Sequence, residues 1–290
     1  MSLPVDSTCM LCFLRKQLKL ARSLGDEAAA DAYLREFAQM YLDLPKHLPS
    51  PALGPGITEL LRKHYGLEED RFKAEKEAAN AFVMARFENI RNRVRGAEDP
   101  VLAAIRFAIL GNYLDFSALG DAVSFEQLDR MMDEALEMPL DLQMVDRFKA
   151  ELSRGGKLLY LTDNAGEIGF DRICGEVLRE HYPQMEITFC VRGGICSNDA
   201  TREDAAVVGL DFPIIDNGGK IAGTIPEMLG QEAKDAMEAA DVIFSKGMAN
   251  VECLYGSGYN IYYAFLVKCE KFVRTFQKEL MTPMFIREPQ

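Results

Sequence analysis

The chain has 290 residues, of which 48% are hydrophobic and 27% charged, and 33 Lys and Arg stand against 45 Asp and Glu for a formal net charge of −12. That charge excludes a general nucleic-acid binder, because neutralising phosphates needs a basic surface. The composition is that of a globular protein, long enough for one large or two modest domains.

Only three histidines occur, His47, His64 and His181, so a site built on several histidines is excluded too. Chemistry must rest on carboxylates, amides, lysines or cysteines. No window holds the roughly 18 consecutive apolar residues of a membrane-spanning helix. The first thirty residues lack the plan of a signal peptide, with Arg15, Lys16 and Lys19 breaking the one apolar stretch. A cytoplasmic protein is expected, with neither nucleic acid nor membrane as partner. The seven cysteines are an odd count, read as buried thiols in a reducing compartment rather than a disulfide framework.

The first half reads as helical. Leu11, Leu14, Leu18 and Ala21 recur at helical spacing, as do Leu34, Phe37 and Tyr41. Prolines and glycines between Pro45 and Gly56 mark a connection. Residues 72–94 form a further helical stretch, residues 101–110 a buried helix, and residues 125–137 an amphipathic one. Near residue 150 the character changes. Short apolar runs at 157–163, 186–194, 212–219 and 241–247 alternate with helical segments at 167–181, 201–208 and 227–240. Residues 260–268 suit a strand or a buried helix, and periodicity does not decide between them. Buried strands alternating with helices predict an α/β fold with a mainly parallel sheet. The expected architecture is a helical domain over 1–150 packed on a Rossmann-like three-layer α/β domain over 151–290, the latter carrying most of the site.

In such sheets ligands bind beyond the carboxyl ends of the strands. The residues at those positions are Asp163, Asn164, Gly166 and Glu167; then Arg192, Gly193 and Gly194, with Asn198 and Asp199; then Asp216 and Asn217; then Ser245, Lys246, Gly247, Asn250 and Glu252. Carboxylate and amide oxygens suit hard divalent cations. A lysine at a strand end suits a phosphate, and glycines let a backbone approach an anion. The pattern predicts a divalent metal held by Asp163, Asn164 and Asp199, with Lys246 facing an anion, the parts that metal-assisted phosphoryl chemistry needs. Asp and Asn are also common turn residues, which explains any single pair without function.

Taken in order, these motifs resemble those of the DUF89, or ARMT1-like, damage-control phosphatases. The matching segments are Asp163-Asn164-Ala165-Gly166-Glu167 with Phe170-Asp171, Gly111-Asn112 with Asp115, Asn198-Asp199-Ala200-Thr201, and Lys246-Gly247 followed by Ala249-Asn250 and Glu252. Cys9-x-x-Cys12 with Gln17 resembles the signature of the mainly prokaryotic subgroup. The resemblance spans residues 9 to about 272. It implies hydrolysis of small phosphate esters, sugar phosphates or damaged phosphometabolites, with Mn²⁺, Co²⁺, Ni²⁺ or Mg²⁺ in the cleft. It further implies Asp163, Asn164 and Asp199 as metal ligands, and Asp163, Asn112 and Lys246 as catalytic residues. Asp115, Glu167, Asn198, Lys246 and Gly247 would bind substrate. One departure is Asp216-Asn217-Gly218-Gly219, where many relatives carry a Gly-Asn-Pro-Gly-like turn.

Other features have plainer readings. Cys9 and Cys12 lack the second pair a structural zinc site needs and are read as two buried thiols on one helix face, with a metal or substrate-proximal role left open by the resemblance. No G-x-G-x-x-G follows a strand, which disfavours a dinucleotide. An S-adenosylmethionine-dependent carboxyl methyltransferase and a non-catalytic binder of an acidic metabolite stay as alternatives. His181 reads as a helix C-terminal residue and Met131-Met132 as core filling. Arg91, Arg93 and Arg95 read as partners of a helix dipole.

Overall fold

The computed structural model describes residues 2–67 and 70–288, and among these nine α-helices precede the first strand. They are α1 (Ser7–Leu24), α2 (Glu27–Asp43), α3 (Gly54–Tyr65), α4 (Lys73–Met84), α5 (Phe87–Arg95), α6 (Pro100–Gly111), α7 (Phe116–Leu119), α8 (Phe125–Glu134) and α9 (Leu142–Leu152). Aspartates open many of them. Asp6 accepts a hydrogen bond from the Cys9 amide, Asp26 from Ala29 and Asp99 from Leu102, each satisfying a donor the first helical turn leaves free. The helical stretch expected over 72–94 is two helices. The chain turns at Ala85-Arg86, where Arg86 leaves the helix axis to stack on Phe82 and pair with Asp129 of α8.

The rest alternates. β1 (Gly156–Leu161), α10 (Glu167–His181), β2 (Met185–Val191), α11 (Arg202–Val207) and β3 (Ile214–Asp216) form one half of the sheet. α12 (Gln231–Ala239), β4 (Val242–Lys246), α13 (Gly247–Leu254), β5 (Ile261–Leu266), α14 (Glu270–Phe276) and β6 (Pro283–Arg287) complete it. The strand order is β3-β2-β1-β4-β5-β6. The first five strands are parallel, and β6 pairs antiparallel with β5. Residues 260–268 are thus resolved as a strand, and β6 is an edge strand that the sequence pattern did not indicate.

Each central strand is buried on both sides. Leu158 and Tyr160 of β1, with Tyr262, Ala264 and Leu266 of β5, face one core. Leu159 and Leu161, with Ile261, Tyr263 and Phe265, face the other. This period-two division of an almost wholly apolar run is what a parallel sheet covered by helices requires. The helices α4–α6 and α8–α11 share the first core with the sheet, whereas α1–α3 enclose a small core of their own around Tyr33, Phe37 and Leu61. The division near residue 150 therefore separates helices from strands in sequence, while the first core runs across it.

α6 lies at the centre of the first core, with nine of its residues buried. By length and a mean hydropathy of 1.3, Pro100–Leu119 is apolar enough to cross a membrane, yet 67% of it is buried in the protein, as befits a core helix. The α1–α3 unit is tied to the other end of the chain. The Leu3 amide donates to the Glu252 carbonyl, Lys271 Nζ to the Leu3 carbonyl, and Arg274 pairs with Asp6. Lys16 reaches the carbonyls of Ser117 and Ala118 in α7.

Candidate active site

The order of strands reverses between β1 and β4, since the chain winds outward to β2 and β3 and then returns to the other side of β1. A crevice at such a reversal is where α/β sheets bind ligands. The β1 loop, Asp163 to Gly166, and the first turn of α10 lie there, beside the β4 end at Lys246-Gly247. The long β2 loop joins them. The Ala200 amide donates to the Asp163 carbonyl, the Ala165 amide to the Asn198 carbonyl, and Asn164 and Asp199 form an isolated antiparallel bridge. The β1 loop and the β2 loop are thereby locked side by side.

Their side chains converge with α6. Asn112, just past the α6 end, donates from Nδ2 to Asp163 Oδ2 at 3.0 Å and to Glu167 Oε2 at 3.1 Å. Its own Oδ1 accepts from the Leu266 amide at the end of β5. Asn164 Nδ2 donates to the same two carboxylates, at 2.9 and 2.8 Å. Asn198 Nδ2 donates to Asn164 Oδ1 and the Leu114 carbonyl, while its Oδ1 accepts from the Ser117 amide. Gly111 allows the close approach of α6. A Cβ there would meet Phe170 at 2.8 Å and Glu167 at 3.2 Å. Gly247 does the same from the other side. At φ +77 it presses on Asp163, and a Cβ would stand 1.9 Å from Oδ2.

Charge is concentrated here. Asp163, Glu167, Asp171, Asp199 and Asp115 are joined through hydrogen bonds or ion pairs to Arg192, Lys246 and Lys268. Five carboxylates thus face three cations, two carboxylates more than the cations can pair with. Burial, reinforced by Glu167, Asp199 and Asp115, holds the Asp163 carboxyl well above the ordinary carboxylate range. Burial raises Asp199 also, against the pull of Arg192. Asp171 is pushed up to about 6 by burial, against the pull of Lys246. Among the described residues no three Cys, His, Asp or Glu side chains form a metal-ligand set by themselves. The set expected here is two carboxylates and an amide, all hard oxygen donors, and a divalent cation would favour the ionised forms of the carboxyls that burial disfavours.

Several expected roles change with the geometry. Lys246 does not face an anion pocket. Its ammonium is buried against the Ala108 carbonyl, Glu167 and Asp171, at 2.7, 2.5 and 2.9 Å. Burial disfavours that charge, yet the two carboxylates hold it above the usual lysine range. All three of its donors are used within the protein, so it supports Glu167 rather than presenting itself to a ligand. Asn112 and Asn198 are likewise saturated by protein partners and position their neighbours. Gly247 contributes a close approach to Asp163. Asp115 caps α7 and pairs with Lys268 at 2.6 Å. Asp163, Asn164, Glu167 and Asp199 are brought together.

Arg192, Asp171 and Lys268 belong to the cluster without having been given roles from the sequence. Arg192 directly follows β2, where the strand-end rule points to it, whereas Lys268 follows β5 by two residues, a position that becomes a strand end only once 261–266 is seen to be a strand.

Outside the cluster, Cys9 is buried and Cys12 exposed, so the two thiols do not share a buried face. They differ because α1 packs only one side. Burial pushes the Cys9 thiol up to about 11, against a reactive thiolate. Arg91 and Arg95 pair with Glu176 of α10, Arg95 also with Glu180, and Arg93 with Asp133. They are cross-helix partners more than ligands of their own helix end. His181 is the last residue of α10. Asn217 holds the glycine turn after β3 through the amides of Gly193 and Gly219.

Fold and cluster define a Rossmann-like α/β protein with a buried carboxylate and amide site at the point where its strand order reverses. The family description "damage-control phosphatase ARMT1-like domain" matches residues 5–282, and the chain belongs to that family. A damage-control phosphatase of Archaeoglobus fulgidus is 32% identical over 281 residues, covering 93% of each chain. Another, from Pyrococcus horikoshii, is 33% identical over 174 residues, 59% of each chain. The crystal structure of a DUF89 family protein from Pyrococcus horikoshii matches over 99% of both chains, with a TM-score of 0.83 at 25% identity.

Proposed function

We propose that the chain is a divalent-metal-dependent phosphatase that hydrolyses small phosphate esters, sugar phosphates or damaged phosphometabolites. The observation that carries this reading is the excess of buried carboxyl groups over cations at the sheet's reversal point. Asp163, Asn164 and Asp199 would hold Mn²⁺, Co²⁺, Ni²⁺ or Mg²⁺ there. When bound, the cation supplies Lewis-acid polarisation of a phosphoryl oxygen and lowers the pKa of a water.

The chain's own residues set the geometry. Asn112 and Asn164 fix Asp163 through Oδ2, leaving Oδ1 free of side-chain amides. Asp163 contributes as a ligand, or as the nucleophile that attacks phosphorus in line. Lys246 neutralises Glu167 from below and keeps its carboxylate against Asn112 and Asn164. Glu167 itself is fully buried. Seven free thiols suit a reducing compartment such as the cytoplasm.

The test is a turnover screen of metal-stripped protein over a panel of phosphate esters with each of the four metals. Metal-restored hydrolysis, abolished in Asp163→Asn, is the expected result. A folded wild type without turnover under any metal would refute the reading. Stabilisation by S-adenosylmethionine instead would favour a methyltransferase.

A further inference from the structure

The three cations of the site are used very differently. Lys246 spends all its donors on protein acceptors, and Lys268 gives two bonds, to the Asn112 carbonyl and Asp115. Arg192 gives one. Its Nε donates to Asp199 Oδ2 at 2.6 Å, and Nη2 lies 3.5 Å from Asp163 Oδ1, an ion pair too long for a good hydrogen bond. Nη1 and Nη2 have no hydrogen-bond partner, although the side chain is 0% exposed. The four N–H bonds on those two nitrogens are therefore unused in a site where unmade donors are costly. Arginines elsewhere in the fold contrast with this. Arg106 donates to the carbonyls of Leu136 and Met138, and Arg172 to Glu176 and the Val208 carbonyl.

The position of Arg192 gives these free donors a direction. It directly follows β2, beside the β1 loop that carries Asp163 and Asn164, and it bridges two of the expected metal ligands. A guanidinium there cannot assist a cation directly, because like charges repel. Its planar fork instead matches two oxygens of a tetrahedral oxyanion.

Resting on the phosphatase reading, we propose that Arg192 is a substrate-phosphate ligand: Nη1 and Nη2 bind phosphoryl oxygens while Nε stays on Asp199. Asp199, which would be a ligand to the metal, also holds the arginine through Oδ2, so the position of the guanidinium is tied to the metal site. The competing explanation is a purely structural clamp that holds Asp199 in place for the metal.

The two explanations differ in what happens to metal affinity. Calorimetric titration of Mn²⁺ into metal-stripped protein, and of inorganic phosphate into the Mn²⁺-loaded protein, separates them. Arg192→Met keeps the bulk and removes the charge and donors. It should weaken phosphate binding at least tenfold while leaving Mn²⁺ affinity unchanged or tighter. Arg192→Lys keeps the charge without the fork and should recover part of the phosphate affinity. It also supplies the same comparison if Arg192→Met does not fold. Unchanged phosphate affinity in a folded variant, or equal losses for phosphate and Mn²⁺, would overturn the proposal. If the wild type binds Mn²⁺ but neither binds phosphate nor hydrolyses any ester, the phosphatase reading falls and takes this inference with it.

Discussion

Gly247→Ala tests the site through its tightest approach. Two separate effects follow from the substitution. Gly247 has φ +77, so any side chain there enters the left-handed region at a cost of about 1–2 kcal/mol. The new Cβ would also stand 1.9 Å from Asp163 Oδ2, against the 3.0 Å that real contacts essentially never undercut. The carboxylate must therefore yield by about 1 Å. It cannot do so freely, because Oδ2 is held by Asn112 and Asn164 at 3.0 and 2.9 Å. A misplacement of that size at a reacting group is worth roughly a hundredfold in rate. The expected variant is thus a folded protein, modestly less stable in urea, whose kcat with Mn²⁺ falls about a hundredfold. Rates on p-nitrophenyl phosphate at saturating metal, paired with urea unfolding of the same preparation, measure both quantities. Full activity in folded Gly247→Ala would refute the argument that Asp163 must sit where this glycine allows it to sit.

Further expectations follow from the charge cluster. Lys246→Met leaves Glu167 and Asp171 buried without their cation and should cost about 3–5 kcal/mol in urea unfolding at neutral pH. Part of that loss should return in acid, where the carboxylates take up protons. Asp163 and Asp171 have folded pKa values above their unfolded ones, so the native state binds more protons, and stability falls as pH rises through their range. For Asp171 the window runs from about 4 to about 6. The metal-free melting temperature should therefore decline over that window and beyond it, and the decline should be shallower in Asp163→Asn. An equal slope in both proteins would remove Asp163 as its cause. Glu252 lies in a family-like motif but bonds to Ser50 and Lys271, away from the cluster. Glu252→Gln should lower the melting temperature with little change in kcat, and a large kcat loss would place Glu252 in the chemistry.

The sheet and most of its helices were legible because buried parallel strands leave short apolar runs, and those runs end where ligands bind. Asp163, Asn164, Glu167 and Asp199 could be found in that way. The role of Lys246 could not, since sequence places it at a strand end without telling whether the ammonium points outward or into Glu167 and Asp171. Lys268 was hidden by a different ambiguity. Residues 260–268 are apolar at every position of the strand, so periodicity could not separate strand from helix, and the strand-end rule had no end to act on. β6 escaped because it is a short antiparallel edge following a turn. The split of residues 72–94 at Arg86 is set by a tertiary partner, Asp129, which no local pattern contains.

The stitching of Leu3 and Asp6 to Glu252, Lys271 and Arg274 has a consequence for biosynthesis. These contacts join residues up to 268 positions apart. The α1–α3 unit leaves the ribosome well before its docking surface on α13 and α14 has been translated. Its own core can form early, but the polar edge that meets α13 and α14 stays open to water for most of translation. Contacts of such long range close slowly, because chain entropy must be spent before they reward it. The slow phase of folding should therefore be the docking of the earliest helices, and urea should release that seam before it opens the sheet.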